Sequence, residues 1–213
     1  MSEGQVAALL LWLVLLAFSL NASLLRTLHA NPLYQHLCLG SAIVLVPLWT
    51  LRAGLHEGLE IHFLGLTSLT LLLGWRLALL APCLTLLILG AFGVTDLAEF
   101  GWQALIGIAL PVATSWLLFL GSWAWLPRHL FVYLFVAAFL GGALSISVKI
   151  LASALLMGMS GAYPWHIISA DYLSIWPLLL FPEALLNGMA MTLLAVYRPH
   201  WVSTFFDREY LGR

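Results

Sequence analysis

The sequence predicts an all-α membrane protein, a polytopic transmembrane bundle of about seven helices that forms one domain over residues 1–213. Of its 213 residues, 63% are hydrophobic and only 8% are charged. Soluble domains carry roughly 25% charged residues, so this chain could not cover a surface that faces water. Its apolar residues fall in long runs without the two-residue period of strands, and a spanning helix needs about 20 mostly apolar residues.

Seven apolar runs can be placed along the chain. The predicted helices cover roughly residues 6–25, 37–51, 61–75, 77–94, 102–126, 130–157 and 172–197. Proline, glycine or charged residues separate them, at Asn31-Pro32, 52–58, Pro127, 161–164 and Arg198-Pro199. The tight connection at Arg76 leaves a six-helix alternative open, in which residues 61–94 form one kinked unit. The first run has no basic stretch before it, so we expect a retained helix rather than a signal peptide.

The arginines predict the orientation of the bundle. With the N-terminus outside and the C-terminus inside, six of the seven arginines fall on the inner side and only Arg52 falls outside. The opposite orientation would place six outside, against the positive-inside bias of membrane proteins. We therefore predict an N-out, C-in protein that is integral to the plasma membrane, the inner membrane of a bacterium, with the lipid bilayer as its main partner.

Several function classes are excluded by what the sequence lacks. A net charge of −1 gives no basic surface for nucleic acid, and Cys38 and Cys83 stand singly in apolar runs, where packing is their expected role. No HExxH, GxSxG or paired intramembrane aspartate motif occurs, and no P-loop for ATP hydrolysis is present. We expect neither an enzyme nor an intrinsic cofactor.

One cluster of titratable residues stands out at the predicted outer face. The segment from His56 to His62 contains four possible metal donors within seven residues, His56, Glu57, Glu60 and His62. Imidazole and carboxylate together suit divalent first-row metals such as nickel, cobalt, copper and zinc. On a helix, His56 and Glu60 would share one face. The alternative interpretation is an outer loop of ordinary solvated residues.

Two charged residues lie deeper in the predicted helices. Lys149 falls within the sixth run and Glu183 about ten residues into the seventh. An ionisable group at such depth normally faces a partner or a cavity. Because the two residues have similar depths on adjacent helices, we expect a Lys149–Glu183 ion pair, with either a structural or a functional role. Asn187 lies one turn after Glu183 and can join the same network. The small residues Gly141-Gly142 favour close helix packing.

Three stretches of the sequence resemble one family of membrane transport subunits. They are the segment Phe181–Met189 followed by Tyr197-Arg198-Pro199, the segment His62–Gly65 with the apolar helix after it, and Phe92-Gly93 with Leu97–Gly101. Their order over roughly residues 60–200 is similar to that of the CbiM-type membrane subunits of energy-coupling-factor ABC transporters for cobalt and nickel.

The resemblance implies a function and a ligand. It implies the substrate-binding membrane subunit, or permease, of a transition metal uptake system, working with a second, coupling membrane subunit and cytoplasmic ATPases. Of the metal ligands in that family, only His62 carries over. The N-terminal histidine is replaced here by Ser2, so His56, Glu57 or Glu60 would have to supply the missing donors.

Two other functions remain open from the sequence. The subunit could take a small organic solute, recognised by Trp102 and Trp165 together with Glu183. Alternatively, the chain could be a non-transporting accessory subunit of a larger membrane complex, with its small-residue faces as docking surfaces.

Overall fold

The computed structural model describes residues 2–52, 54 and 60–210, and most of this backbone is helical. In chain order the helices are α1 (Glu3–Ser19), α2 (Ala22–Ala30), α3 (Pro32–Thr50), α4 (Leu66–Leu73), α5 (Trp75–Ala91), α6 (Leu97–Trp125), α7 (Leu130–Ser160), α8 (Trp165–Tyr197) and α9 (Asp207–Tyr210). The three longest, α6, α7 and α8, each contain a short π-helical stretch. The predicted all-α bundle is therefore confirmed.

The lengths of the helices fit an integral membrane protein. Within the described residues, α3, α6, α7 and α8 are long and apolar enough to cross a membrane, and α1 with α2 would make a fifth span bent by 70°. Helix α5 has 17 residues and α4 has 8. At ~1.5 Å per residue, α4 is about 12 Å long, less than half of a hydrocarbon core of roughly 30 Å. The number of crossings and the N-out, C-in orientation stay predictions.

Several helices begin earlier than their apolar runs. Helix α3 begins at Pro32 because the Asn31 side chain accepts a hydrogen bond from the Leu33 N–H at 3.1 Å, and proline suits the first turn. Helix α6 begins at Leu97, where Asp96 accepts from the Ala98 N–H at 2.8 Å. The first turns of these helices contain polar residues, so a search for apolar runs misses them. The capping residues Asn31 and Asp96 are nevertheless visible in the sequence.

Two predicted runs are not single helices. The first, 6–25, is divided where α1 ends at Ser19 and Asn21 caps α2, its side chain accepting from the Leu24 N–H at 2.9 Å. The third, 61–75, was wrong over its first five residues. It is helical only from Leu66, because Gly65 has a left-handed backbone with φ of +65°.

The short helix α4 lies at the centre of the bundle. Every residue of α4 except Ser68 is buried. The Thr67 hydroxyl lies 2.7 Å from the Ser115 hydroxyl of α6 and 3.1 Å from the Ser145 hydroxyl of α7. This hydroxyl cluster satisfies polar groups that face no water, as a membrane interior requires.

The chain that follows α8 folds back on the end of α4. The Ser203 N–H donates to the Leu72 carbonyl at 2.9 Å, and the Thr204 hydroxyl donates to the Leu71 carbonyl at 2.7 Å. The last carbonyls of a helix have no partner within the helix itself, so these bonds complete the C-terminal end of α4.

Polar contacts fix the two ends of the bundle. The Gln5 side chain donates to the Glu99 carboxylate at 2.6 Å, and Arg128 pairs with Glu209 at 2.6 Å. Glu99 lies in the first turn of α6, and Arg128 lies shortly after the end of α6 at Trp125. The start of the described chain and its C-terminal tail therefore lie at opposite ends of α6.

Candidate metal-binding site

The connection between α3 and α4 is held in place by the carboxylate of Glu183 on α8. The N–H groups of Leu64 and Gly65 donate to the two Glu183 carboxylate oxygens, each at 2.9 Å. The Asn187 amide donates to one of them at 2.8 Å. Glu183 and Asn187 are fully buried. The carboxylate therefore satisfies backbone donors that precede the first turn of α4, where negative charge is favourable.

Asn187 extends this network into α4 itself. Its side-chain oxygen accepts from the Ser68 N–H at 2.8 Å and from the Ser68 hydroxyl at 2.6 Å. Its amide nitrogen also donates to the Glu183 backbone carbonyl at 2.8 Å. Two side chains one turn apart on α8 therefore fix both the entry into α4 and its first turn.

The predicted ion pair between Lys149 and Glu183 is wrong. Both residues are described, yet no ion pair joins them, and the carboxylate is engaged by backbone N–H groups and Asn187 instead. The prediction relied on the similar depths of the two charged residues on adjacent helices. Depth alone does not reveal the backbone donors near Glu183, which are the N–H groups of Leu64 and Gly65. Glu183 is also fully buried, so an organic solute could not reach it in this structure.

His62 lies in this connection, between α3 and α4, and not in a spanning helix. Its Nδ1 is 2.9 Å from the Phe63 carbonyl oxygen. A carbonyl can only accept, so Nδ1 carries the proton and Nε2 keeps a free lone pair. The imidazole also packs on the indole of Trp49, with ring centroids 5.3 Å apart. The ring orientation is thus fixed in the manner usual for metal-binding histidines.

The surroundings of His62 favour the neutral imidazole. The side chain keeps some exposure where it borders a cleft, yet the protein around it removes most of its water. This burial, and then the positive charge of Lys149, lower the pKa of His62 to about 3. The ring is therefore neutral at physiological pH, which is the form that binds metal ions.

A cleft of about 270 Å³ opens beside His62. It is lined by Leu51, Arg52, Ile61, His62, Phe63 and Leu179. The Trp49 indole N–H donates to the Leu64 carbonyl at 3.1 Å, so α3 holds the same connection that Glu183 holds from α8. The two residues that follow Phe63 are thus held by α3 and α8 together.

Of the other predicted metal donors, only Glu60 falls within the described residues, and it is engaged in an ion pair. Glu60 pairs with Arg52 at 3.0 Å, and Arg52 also donates to the Trp49 carbonyl at 2.8 Å. His56 and Glu57 lie outside the described residues. Over residues 2–52, 54 and 60–210, no group of three His, Cys, Asp or Glu side chains could hold a metal ion. His62 is therefore the one predicted donor that the described structure places at the cleft.

The remaining predicted residues lie elsewhere. Ser2 caps α1 through the Gln5 N–H, and Gln5 bonds to Glu99, so the described start of the chain lies against α6 rather than beside His62. Trp165 is 57% exposed and packs on Gly158. The structure does not bring it to Glu183, which is fully buried.

Two residues that shape the site had no assigned role in the sequence. Trp49 and Ser68 both lie in apolar runs, where aromatic and hydroxyl residues are commonplace. The sequence did contain a signal for the separate short helix α4. Gly65 and Gly74, which both have a positive φ, flank an apolar stretch that is too short to span a membrane.

Comparison with known proteins assigns the chain to a family. No curated protein and no solved structure matches it significantly. A family model described as the cobalt uptake substrate-specific transmembrane region, CbiM, matches residues 2–201. Since the match covers nearly the whole chain, this integral membrane protein belongs to the CbiM family of cobalt uptake transmembrane proteins.

Proposed function

We propose that this chain is the substrate-binding membrane component of a cobalt uptake system, and that it takes a cobalt or nickel ion at the cleft beside His62. Membership in the CbiM family supports uptake of cobalt as the general function. The observation that carries the choice of site is the His62 imidazole beside the cleft, which is oriented by the Phe63 carbonyl and whose Nε2 makes no hydrogen bond to a residue that the structure describes.

The chemistry of this position suits a borderline transition metal. Imidazole nitrogen is a preferred ligand of nickel and its neighbours, and a neutral ring with one nitrogen already bonded needs no proton release to bind. A hydrogen bond from Nδ1 to a carbonyl raises the basicity of the opposite nitrogen.

Metal binding by the purified protein tests the site. We expect His62→Ala to weaken cobalt binding by at least about tenfold, measured by calorimetric titration with cobalt chloride in detergent. His166→Ala is the matched control, because His166 is an exposed histidine outside the cleft. Equal affinities for wild type and His62→Ala would contradict the proposal.

Energy for uptake is proposed to come from partners. The sequence has no P-loop, so in our proposal a second membrane subunit and cytoplasmic ATPases couple ATP hydrolysis to transport, as in energy-coupling-factor transporters. Cells that produce this chain alone, in a host without cobalt uptake, should bind cobalt but not accumulate it. Accumulation against a gradient by the chain alone would contradict this part.

A further inference from the structure

An apolar groove of about 260 Å³ runs along the side of the bundle between α7 and α8. One of its walls is a row of phenylalanine rings on α7, in which Phe131 stacks on Phe135 and Phe135 stacks on Phe139, each pair with centroids 5.4 Å apart. The opposite wall belongs to α8 and is lined by Leu185, Gly188, Met189 and Thr192. We call this feature the α7–α8 groove.

The α7–α8 groove faces the space that the bilayer fills. Both helices are long and apolar enough to cross a membrane, and Phe131 and Phe135 are 64% and 43% exposed. Among the lining residues that the structure describes, Thr192 alone has a polar side chain, and its hydroxyl donates to the Gly188 carbonyl at 2.7 Å. Such a lining suits a hydrocarbon chain. Since a water molecule occupies about 30 Å³ and a methylene group is of similar size, the groove has space for about nine methylene groups.

One end of the groove lies where both helices reach the membrane surface. Phe131 is in the first turn of α7, and Thr192 is within the last two turns of α8. Arg128 comes shortly before α7, and Arg198 directly follows α8. Because helices that cross a bilayer end at the headgroups, the two guanidinium groups lie at the level of the lipid phosphates.

A tryptophan orients each of these two arginines. The guanidinium carbon of Arg198 lies 5.5 Å from the ring centroid of Trp201, and that of Arg128 lies 4.3 Å from Trp123. A ring against the face of a guanidinium leaves the N–H groups in its plane available for hydrogen bonds. Arg128 donates one of them to Glu209, whereas Arg198 is exposed beyond the end of α8. A planar donor group held in this way suits a phosphate.

We propose that the α7–α8 groove binds one acyl chain of an anionic phospholipid, and that Arg198, with Arg128 at the same end of the groove, binds the headgroup. The order of the parts, hydrocarbon along the groove and phosphate at its end, is that of a phospholipid in the bilayer. A helix of another subunit would fill an apolar groove without needing arginines at the headgroup level. The bound lipid stabilises the contact between α7 and α8.

Two phospholipids with the same oleoyl chains test the proposal on the wild-type protein. Dioleoylphosphatidylglycerol is anionic, whereas the choline of dioleoylphosphatidylcholine cancels the phosphate charge. We expect the purified full-length chain in detergent to bind the anionic lipid at least about tenfold more tightly, measured by native mass spectrometry, because two arginines act on the additional charge. Equal affinities for the two lipids would overturn the proposal even if no variant folds.

A pair of tryptophan substitutions tests the groove. Thr192→Trp places a large ring in the groove and should weaken binding of the anionic lipid by about tenfold. Leu193→Trp is the matched control, because Leu193 is 55% exposed on the same helix but does not line the groove. Equal lipid binding by the two variants would contradict the proposal. If Thr192→Trp instead lost a membrane subunit that co-purifies with the wild type and kept its lipid, the groove would hold a partner helix.

A pair of arginine substitutions tests the headgroup site. Arg198→Gln should remove most of the preference for the anionic lipid. Arg76→Gln should keep it, because Arg76 also lies over a tryptophan, Trp75 at 5.1 Å, but belongs to α5 rather than to the helices that form the groove. An equal loss of preference in both variants would show that the charge of the whole surface attracts lipid without a site at the groove, and would overturn the proposal.

Discussion

At the scale of single residues, Glu183 accepts hydrogen bonds from backbone N–H groups, as backbone carbonyls do within the helices of the bundle. Residues 62–65, directly before α4, are not helical, so the N–H groups of Leu64 and Gly65 need acceptors from another part of the chain. A buried, unpaired N–H group is costly, and in a membrane no water can replace the missing partner. Glu183 accepts from both of these groups, and Asn187 accepts from the N–H of Ser68 in the first turn of α4. The shape of the cleft beside His62 depends on these bonds.

Glu183→Gln tests this structural role. Glutamine has the same shape, but its amide nitrogen would face a backbone N–H, and leaving one buried donor without an acceptor costs about 1–3 kcal/mol. We expect a clearly lower thermal unfolding temperature in detergent. Glu3→Gln is the control, because Glu3 is exposed in the first turn of α1, and surface changes usually stay within about 0.5 kcal/mol. If Glu183→Gln lost cobalt binding at an unchanged unfolding temperature, Glu183 would be a ligand instead.

At the scale of the elements, the sequence predicts which stretches form long apolar helices but not where a helix is interrupted. Helices α6 and α7 follow from long apolar runs. The extended entry into α4 does not, because in a mostly apolar run a buried extended segment and a helix have the same hydrophobicity. His62 could be singled out because a titratable residue beside an apolar run is rare. The partners of Glu183 could not, since backbone N–H groups leave no mark in a residue pattern.

The contact between α7 and α8 gives a prediction at this scale. A Cβ atom added at Gly142 would lie 2.9 Å from the Asn187 amide nitrogen, 3.0 Å from the Glu183 carbonyl and 3.2 Å from the Ala184 Cα. Gly142→Ala should therefore force the helices apart and loosen the network that holds α4, with a cost typical of overpacking, about 1–3 kcal/mol.

The control for this change is Gly40→Ala in α3. A Cβ atom at Gly40 would meet nothing within 4 Å. Alanine is favoured over glycine in a helix by roughly 0.5–1 kcal/mol, so this variant should unfold at the same temperature as the wild type or slightly above it. Equal unfolding temperatures for Gly142→Ala and Gly40→Ala, measured side by side in detergent, would show that the helix contact is not tight.

At the scale of the whole molecule, α4 links the region of the cleft to the C-terminal tail. Its first turn is fixed by Glu183 and Asn187 next to the cleft, and its last carbonyls accept from Ser203 and Thr204 of the tail. The Tyr133 hydroxyl on α7 lies 2.7 Å from that of Thr204, which ties the tail to a further helix. The C-terminal tail is thus part of the folded bundle, and its anchoring supports α4 from the end opposite the cleft.

Aromatic packing, rather than the ion pair, should hold this tail. The Tyr210 ring is 4.9 Å from Tyr133, 5.2 Å from Phe205 and 5.7 Å from Trp123, measured between centroids. Each such contact contributes roughly 0.5–1.5 kcal/mol beyond burial. The Arg128–Glu209 pair has side chains 49% and 37% exposed, and exposed pairs contribute about 0–1 kcal/mol. Tyr210→Ala should therefore lower the unfolding temperature by several degrees and speed proteolysis of the tail, whereas Glu209→Gln should do neither. The reverse order of the two variants would show that charge, not ring packing, anchors the tail.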